Sequence, residues 1–583
     1  MRFLLTAVNA KYIHSNPALY SLRAFVPENY RNEVEIAEYT INNRTEEILA
    51  DIYRKQPDVI AFSCYIWNWE VIQEIIVELH KILPKLPIWL GGPEVSFDGE
   101  MILGWYPMIT GIMLGEGELT FCELLISYVD KKEDISHIRG LLYRQDNHLI
   151  RTGVRELTNM DTLPFLYDHL EDFTNRIIYY ESARGCPYRC SYCLSSIDKS
   201  VRFRDLTIVK KELQYFLDHQ VAQVKFVDRT FNCNHTHALE IWRYLIEHDN
   251  GVTNFHFEIA ADIITEEELV LLNQMRPGLA QLEIGVQSTN PQTLQAIHRR
   301  MQLSRLEEVV ATIRQGENIH VHLDLIAGLP YEDYASFGQS FDEVYAMQPE
   351  QLQLGFLKVL KGSEMCERAE EFGVVYTTRP PYEVLYTKWL PYEDVLRLKQ
   401  IEEMVELYYN SNQFTHTLPV LVQNFTGPFA MYERLAQFYE EKHYFTYSPA
   451  RAYRYQVLLD FACTVDEIHR ELYQELLTYD LYLRENCKSR PEYSADLTPY
   501  KDRIWEFYVG EEKNRQFLPE DTAYTARQMQ KMTHMDAYHY PVWEKGISTQ
   551  TRPSEQATLV LYDYKRRNPL TDGAAVTVLR RLT

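Results

Sequence analysis

Three cysteines within eight residues, Cys186, Cys190 and Cys193 in Arg184-Gly185-Cys186-Pro187-Tyr188-Arg189-Cys190-Ser191-Tyr192-Cys193, are the densest group of metal-binding side chains in the chain. Three soft thiolates in one loop suit a zinc ion or an iron–sulfur cluster. Structural zinc needs four closed ligands, and no fourth Cys or His follows at finger-like spacing. A [4Fe–4S] cluster can take three cysteines and leave one iron open to a small molecule, so the cluster is the stronger reading. Other groups that could do chemistry are single carboxylates at the ends of apolar runs, Asp228, Glu258 and Glu283, together with His14 and a sparse His534, Asp536, His539 set. That last set reads as a solvated helix face or loop, since scattered polar residues are usually solvated.

The elements that must position the cysteines come next. The run Ile177-Ile178-Tyr179-Tyr180-Glu181-Ser182 reads as a strand delivering the cysteine loop from its end. Five more strand-like runs follow, over 224–227, 254–259, 281–286, 320–326 and 351–357, separated by amphipathic stretches. Strands alternating with helices from 176 to 374 predict an open, partial (βα)6 version of the eightfold barrel, with its chemistry on one rim. Residues 1–135 carry a second α/β pattern, with strand-like runs over 3–8, 34–39, 59–64, 88–90 and 112–114. It predicts a Rossmann-like, doubly wound parallel sheet whose ligand sits beyond the strand ends. Unusual residues gather at those ends: Ser63 to Asn68, Gly91-Gly92-Pro93-Glu94-Val95-Ser96 and Gly115-Glu116-Gly117-Glu118. Residues 136–175 read as a connector with a hairpin turning at Asp146-Asn147, and 375–583 as a mainly helical domain ending in a hairpin over 558–564 and 575–580.

Composition narrows the partners. The chain has 583 residues, too many for one core, and 59 Lys+Arg against 83 Asp+Glu give a net charge of −24. Such a field repels phosphate backbones, so no nucleic-acid partner is expected. Nine cysteines with three in one loop do not form a disulfide framework. The N-terminal apolar run is too short for a signal peptide, and no apolar stretch reaches the ~20 residues needed to span a bilayer. A cytoplasmic protein without a membrane partner is expected.

A Gly-Gly-Pro-Glu loop, then a Gly-Glu-Gly-Glu loop, then the Cys-x3-Cys-x2-Cys spacing resemble the cobalamin-binding radical S-adenosylmethionine (SAM) family over roughly residues 1–375. The resemblance implies three cofactors: a [4Fe–4S] cluster on Cys186, Cys190 and Cys193, SAM on its open iron, and cobalamin in the first domain. It implies that Gly91, Gly92 and Pro93, with Glu94 and Ser96, line a slot for the cobalamin tail, and that Ser63 and Tyr65 lie near the corrin. Gly115, Glu116 and Gly117 complete that set. For SAM it implies Tyr192, Asp228, Arg229, Glu258, Glu283, Gln287, Ser288 and Gly328. The Asp-x-His-x-x-Gly signature of histidine-ligated cobalamin domains is absent, so His14 is not expected to ligate cobalt. Implied too are an external one-electron donor such as flavodoxin or ferredoxin, and methylation or rearrangement of an unactivated carbon in a small molecule. An RNA- or peptide-modifying radical SAM enzyme would call for a second cysteine triad or a basic domain. A non-enzymatic cobalamin sensor would not need the cysteines at all.

Overall fold

The computed structural model describes residues 1–132, 134–146, 148–197, 200–520 and 523–579. Asn147 of the connector turn and Arg580 of the last hairpin lie outside the described residues. The first sheet has seven strands: β1 (Phe3–Asn9), β2 (Val34–Thr40), β3 (Val59–Ser63), β4 (Ile88–Gly91), β5 (Gly111–Met113), β6 (Leu141–Gln145) and β7 (His148–Arg151), in the order β2-β1-β3-β4-β5-β6-β7. β1 to β5 are parallel, whereas β6 runs antiparallel to β5 and β7 antiparallel to β6. The expected connector hairpin is thus the far edge of the first sheet. Every residue of β1 and β3 is buried, because helices cover both faces of a parallel sheet. The order reverses between β1 and β3, and a crevice opens there beyond the strand ends.

The second sheet holds six parallel strands, β8 (Ile178–Tyr180), β11 (Gln223–Phe226), β12 (Asn254–Ile259), β13 (Ala280–Gln287), β14 (His320–Ala327) and β15 (Gln351–Phe356), in the order β15-β14-β13-β12-β11-β8. The two-residue strands β9 (Ala183–Arg184) and β10 (Arg202–Phe203) pair antiparallel and close the base of the cysteine loop. Burial alternates strictly along β13, where Ala280, Leu282, Ile284 and Val286 pack under the helices while Gln281, Glu283 and Gln287 face the barrel interior. A closed barrel fills its interior with branched apolar layers. Here the inward positions are polar, which leaves the open barrel a receptacle.

An open barrel has two edges to protect. On the β15 edge, the Asn410 side chain accepts from Leu352 N at 2.9 Å and donates to Leu352 O at 2.9 Å, imitating a neighbouring strand. Beside β8, Ile177 N donates to Ile13 O at 2.9 Å, so the loop after β1 covers that side. The short antiparallel strands β16 (Val375–Tyr376) and β17 (Val384–Tyr386) lead into the C-terminal helices. Those helices share one apolar core with the barrel, from Ile178 and Phe226 through Phe341 to Tyr432 and Tyr479. They also carry a three-stranded antiparallel sheet of β18 (Thr533–Tyr538), β19 (Thr558–Arg567) and β20 (Ala574–Leu579). The expected helix face or loop at His534 and Asp536 is corrected by this strand, while His539 lies in the loop just past it. Asp536 is fully buried, held by Arg490 Nη2 at 3.0 Å and beside His534 Nε2 at 3.2 Å, so His534 and Asp536 are a paired element and not a solvated set. Among the described residues no helix is long and apolar enough to cross a membrane.

Candidate active site

The cysteine loop is pinned at several points. Gly185 has φ +101°, and a Cβ there would lie 2.1 Å from the Ser200 carbonyl oxygen, so only glycine permits the return past β10. Ser191 N donates to Ile297 O at 3.1 Å, and Met365 N donates to Ser191 O at 2.8 Å, fixing the loop to segments that follow β13 and β15. Cys186, Cys190 and Cys193 are free thiols. Three unpaired thiols on one pinned loop are the donor set that an iron–sulfur cluster takes.

Around them stand side chains expected from the sequence and others that were not. Tyr192 packs against Cys190 and Arg299, and burial raises its phenol. Arg299, unnoticed in the sequence, donates from Nη1 toward Cys190 Sγ at 3.8 Å and from Nη2 to Gly285 O, while its Nε is buried without a hydrogen-bond partner. Gln287 closes β13 at φ +73°, beside a register shift between Gly285 and Gln287, and its Oε1 is likewise buried and unpartnered. Strain and an orphaned acceptor on a rim position mark a binding residue. Glu258, at the end of β12, is pushed up to about 7, first by burial and then by nearby Glu283, against the pull of Arg229. Arg229 Nη1 lies 3.8 Å from Glu258 Oε2. Tyr192, Arg299 and Gln287 gather beside the cysteines, Arg229 and Glu258 pair near the ends of β11 and β12, and the unpartnered Arg299 Nε and Gln287 Oε1 fit a polar ligand such as SAM.

Other expected residues are placed differently. Asp228 is buried and accepts from Ser182 N at 2.8 Å and Ser182 Oγ at 2.5 Å, tying the ends of β8 and β11 together. Glu283 is not at the end of its strand: β13 runs four residues further, and Glu283 Oε2 accepts from Lys225 Nζ at 3.2 Å and lies 2.8 Å from His256 Nε2. Burial alone would raise its carboxyl, but the His256 bond and the Lys225 charge bring it down to about 2. Ser288 donates to Glu332 Oε1 at 2.6 Å. Gly328 backs onto Val384 of β17. Lys225, His256, His322 and Asp324 are further interior residues that the sequence did not flag.

Two cavities meet the first sheet at its strand ends. One, of about 650 Å³, is lined by Ser63, Tyr65, Gly91, Gly92, Pro93, Ser96, Gly115, Glu116 and Gly117. Every expected cobalamin residue is there except Glu94, whose buried carboxylate instead accepts from Tyr382 Oη and pairs with Lys361 Nζ at 3.1 Å. Glu116 reaches the wall of the cavity but is bound to Arg202 and to Thr158 N at 2.7 Å, and its carboxyl falls to about 2 because these bonds outweigh burial. The second cavity, of about 730 Å³, lies between the domains. Its wall includes Asn9, His14, Tyr65, Trp67 and Glu118 on one side, and Tyr179, Arg184, Gly185 and Arg229 on the other. Ser15 Oγ and Asn16 Oδ1, of residues lining it, are buried without partners. Tyr65 and Trp67 stack with ring centroids 4.4 Å apart. His14 Nδ1 is 2.6 Å from Tyr179 Oη. Two contiguous cavities, glycine-floored at one end and aromatic at the other, fit a large ring with a long polar tail.

Comparison with known proteins agrees with this geometry. Three family models match the chain in order: the B12 binding domain over residues 4–125, the radical SAM superfamily over 180–344, and a protein of unknown function (DUF4080) over 370–562. The 2-(S-pantetheinyl)-carbapenam-3-carboxylate methyltransferase of Streptantibioticus cattleyicolor is 27% identical over 48% of this chain and 44% of its own length, so the match spans less than half of that protein. The cobalamin-dependent radical SAM methyltransferase TokK of Streptomyces tokunonensis is 24% identical over 77% of this chain and 69% of its own. Among solved structures, the cobalamin-dependent SAM radical enzyme OxsB with aqua-cobalamin and SAM bound shares the fold, with a TM-score of 0.55 at 17% identity over 82% of this chain and 78% of that one. The chain thus carries, in this order, a B12 binding domain, a radical SAM domain with the cysteine triad on its rim and a DUF4080 region, the arrangement of a cobalamin-dependent radical SAM enzyme whose cofactors are a [4Fe–4S] cluster, SAM and cobalamin.

Proposed function

We propose that this enzyme transfers a methyl group to an unactivated carbon of a small-molecule substrate. The observation that carries this reading is the shared wall: Arg184 and Gly185, at the root of the cysteine loop, line the same cavity as Tyr65 and Trp67 at the strand ends of the first sheet. A substrate in that cavity stands between the two cofactor sites. The methyltransferase names of the relatives support methyl transfer over rearrangement.

When bound, the cluster and SAM supply one-electron SAM cleavage, and cobalamin supplies a transferable methyl group. The protein binds and orients. Cys186, Cys190 and Cys193 hold the cluster. Arg299 Nε and Gln287 Oε1, buried and unpartnered, are the donor and acceptor offered to SAM, with Tyr192, Arg229 and Glu258 beside them. Gly91, Gly92, Pro93, Ser96, Gly115 and Gly117 line the tail slot, and Tyr65, stacked on Trp67, stands where it meets the second cavity. Asp228, Ser288, Glu94 and Glu116 are assigned positioning roles. An external one-electron donor such as flavodoxin or ferredoxin completes the system.

The test is anaerobic turnover of reconstituted enzyme with SAM, reductant, cobalamin and a fractionated cell extract as substrate source. Methyl transfer yields both 5′-deoxyadenosine and S-adenosylhomocysteine in a substrate-dependent manner, and the Cys186, Cys190, Cys193→Ala variant yields neither. Substrate-dependent 5′-deoxyadenosine alone would overturn methyl transfer in favour of rearrangement.

A further inference from the structure

We propose that the barrel interior carries a divalent transition-metal site built from His322, Asp324 and Glu283, separate from the iron–sulfur loop. His322 and Asp324 stand two residues apart on β14, so both point to the same face of the sheet. Glu283 on β13 is the register partner of His322. One ligand atom from each of the three lies within 4.8 Å of the others. An i, i+2 pair plus the cross-strand neighbour is a compact three-point arrangement on a rigid sheet.

The second observation concerns unmet polar atoms. His322 is 9% exposed, and its Nε2 lies 2.9 Å from Asp324 Oδ1. The two are not aligned for a hydrogen bond, and both atoms are shielded from solvent and without a hydrogen-bond partner. When His322 is protonated the two form an ion pair, but a neutral imidazole there sets two lone pairs against each other, which is costly in an empty interior. A cation between them satisfies both lone pairs.

The third observation is the support behind Glu283. Lys225 Nζ and His256 Nε2 both contact Oε2, which leaves Oε1 of the same carboxylate for a ligand. Carboxylate ligands are commonly fixed in this way by outer hydrogen bonds. One imidazole and two carboxylates are a donor set for Zn²⁺, Mn²⁺ or Fe²⁺. Three protein ligands also leave at least one coordination position for water or a Lewis-basic group of the substrate. The inference does not depend on whether the reaction is methyl transfer.

The probe is Zn²⁺ alone. Cluster-loaded, full-length enzyme is equilibrated anaerobically with Zn²⁺, gel-filtered and assayed for zinc and iron, with X-ray absorption at the zinc edge. The expected result is about one zinc per chain, coordinated by nitrogen and oxygen without sulfur. Asp324→Asn, nearly isosteric, and His322→Ala lose that zinc and keep their iron, whereas the triple cysteine variant keeps the zinc. His256→Ala weakens zinc binding about 10–100-fold, as loss of outer support does elsewhere. Absence of zinc from the parent, its retention in Asp324→Asn, or a sulfur shell in the absorption spectrum overturns the proposal.

Discussion

Asp228 illustrates how a single residue can be conspicuous in sequence for one reason and matter in the structure for another. It ends β11 on the barrel rim, yet its carboxylate is turned onto Ser182, and burial pushes its carboxyl up to about 7 from an ordinary 3.8. A raised carboxyl means that the folded state binds a proton which the unfolded state has released. Stability contributed here is therefore lost as pH climbs from about 4 to about 7, and the full penalty persists above that. Asp228→Asn removes the penalty. Its amide oxygen can still accept from Ser182 N, while Ser182 Oγ turns its proton to the neutral His237 Nε2 at 3.1 Å. The stability advantage of the variant should grow by about 2–3 kcal/mol between pH 5 and pH 7, at 1.36 kcal/mol per unit. Thermal unfolding across that range checks it, and a pH-independent difference would refute the assignment. The cysteines were legible because three thiols in eight residues have few other uses. Arg299 was not, since a lone arginine in a loop is ordinary and only folding brings it to Cys190. His322 and Asp324 left a faint signal, ionisable residues at alternate positions of a strand, which becomes informative only when Lys225, His256 and Glu283 are placed on the same inner face.

At the scale of the element, the loop between β4 and its following helix depends on one backbone position. Gly92 has φ +110° and ψ 169°, and a Cβ there would meet the Cys64 carbonyl oxygen at 2.4 Å. That region of backbone space is essentially closed to other residues and costs about 1–3 kcal/mol before any clash. Gly92→Ala should lower the melting temperature and abolish cobalamin retention through gel filtration, with four irons per chain unchanged. Gly104→Ala is the control, because it lies outside the slot and a Cβ there meets nothing within 4 Å, so it should be tolerated. Equal cobalamin retention in both variants would count against this slot. Periodicity located ten of the eleven parallel strands within one residue at each end, because apolar runs bounded by amphipathic helices have little else to be. β8 was shorter than read, since the chain leaves the sheet early to build the β9–β10 clasp. β18 was missed outright: His534, Asp536 and His539 look solvated, and what overrides that look at Asp536 is Arg490, which arrives from 46 residues away to bury its charge.

At the scale of the whole molecule, Arg184 is one of the charged links that hold the two cofactor domains together. It leaves β9 at the foot of the cysteine loop and meets Glu118 at 3.0 Å and Glu116 at 3.4 Å on the first domain, and Glu181 at 2.7 Å on its own. The Arg184 side chain is 21% exposed and that of Glu118 7%, so these are largely desolvated pairs and not surface decoration. Breaking such a pair from one side leaves carboxylates buried without a counter-charge, at a cost of about 3–5 kcal/mol. Arg184→Met keeps the length of the side chain and removes only its charge and its donors. Glu116 retains Arg202 of β10, a second link across the same seam, so the loss should fall on the seam at Glu118 more than on either fold. We expect the variant to retain four irons, to resolve one calorimetric transition into two, and to be cut faster by protease in the connector over residues 152–175. Adding Glu118→Gln to Arg184→Met should recover part of the loss, because it removes the stranded charge. If Arg184→Met melts in a single transition at the parental temperature, the domains are coupled elsewhere, through Glu38 with Arg176 and Glu94 with Lys361, and the cysteine loop is positioned without help from the cobalamin domain.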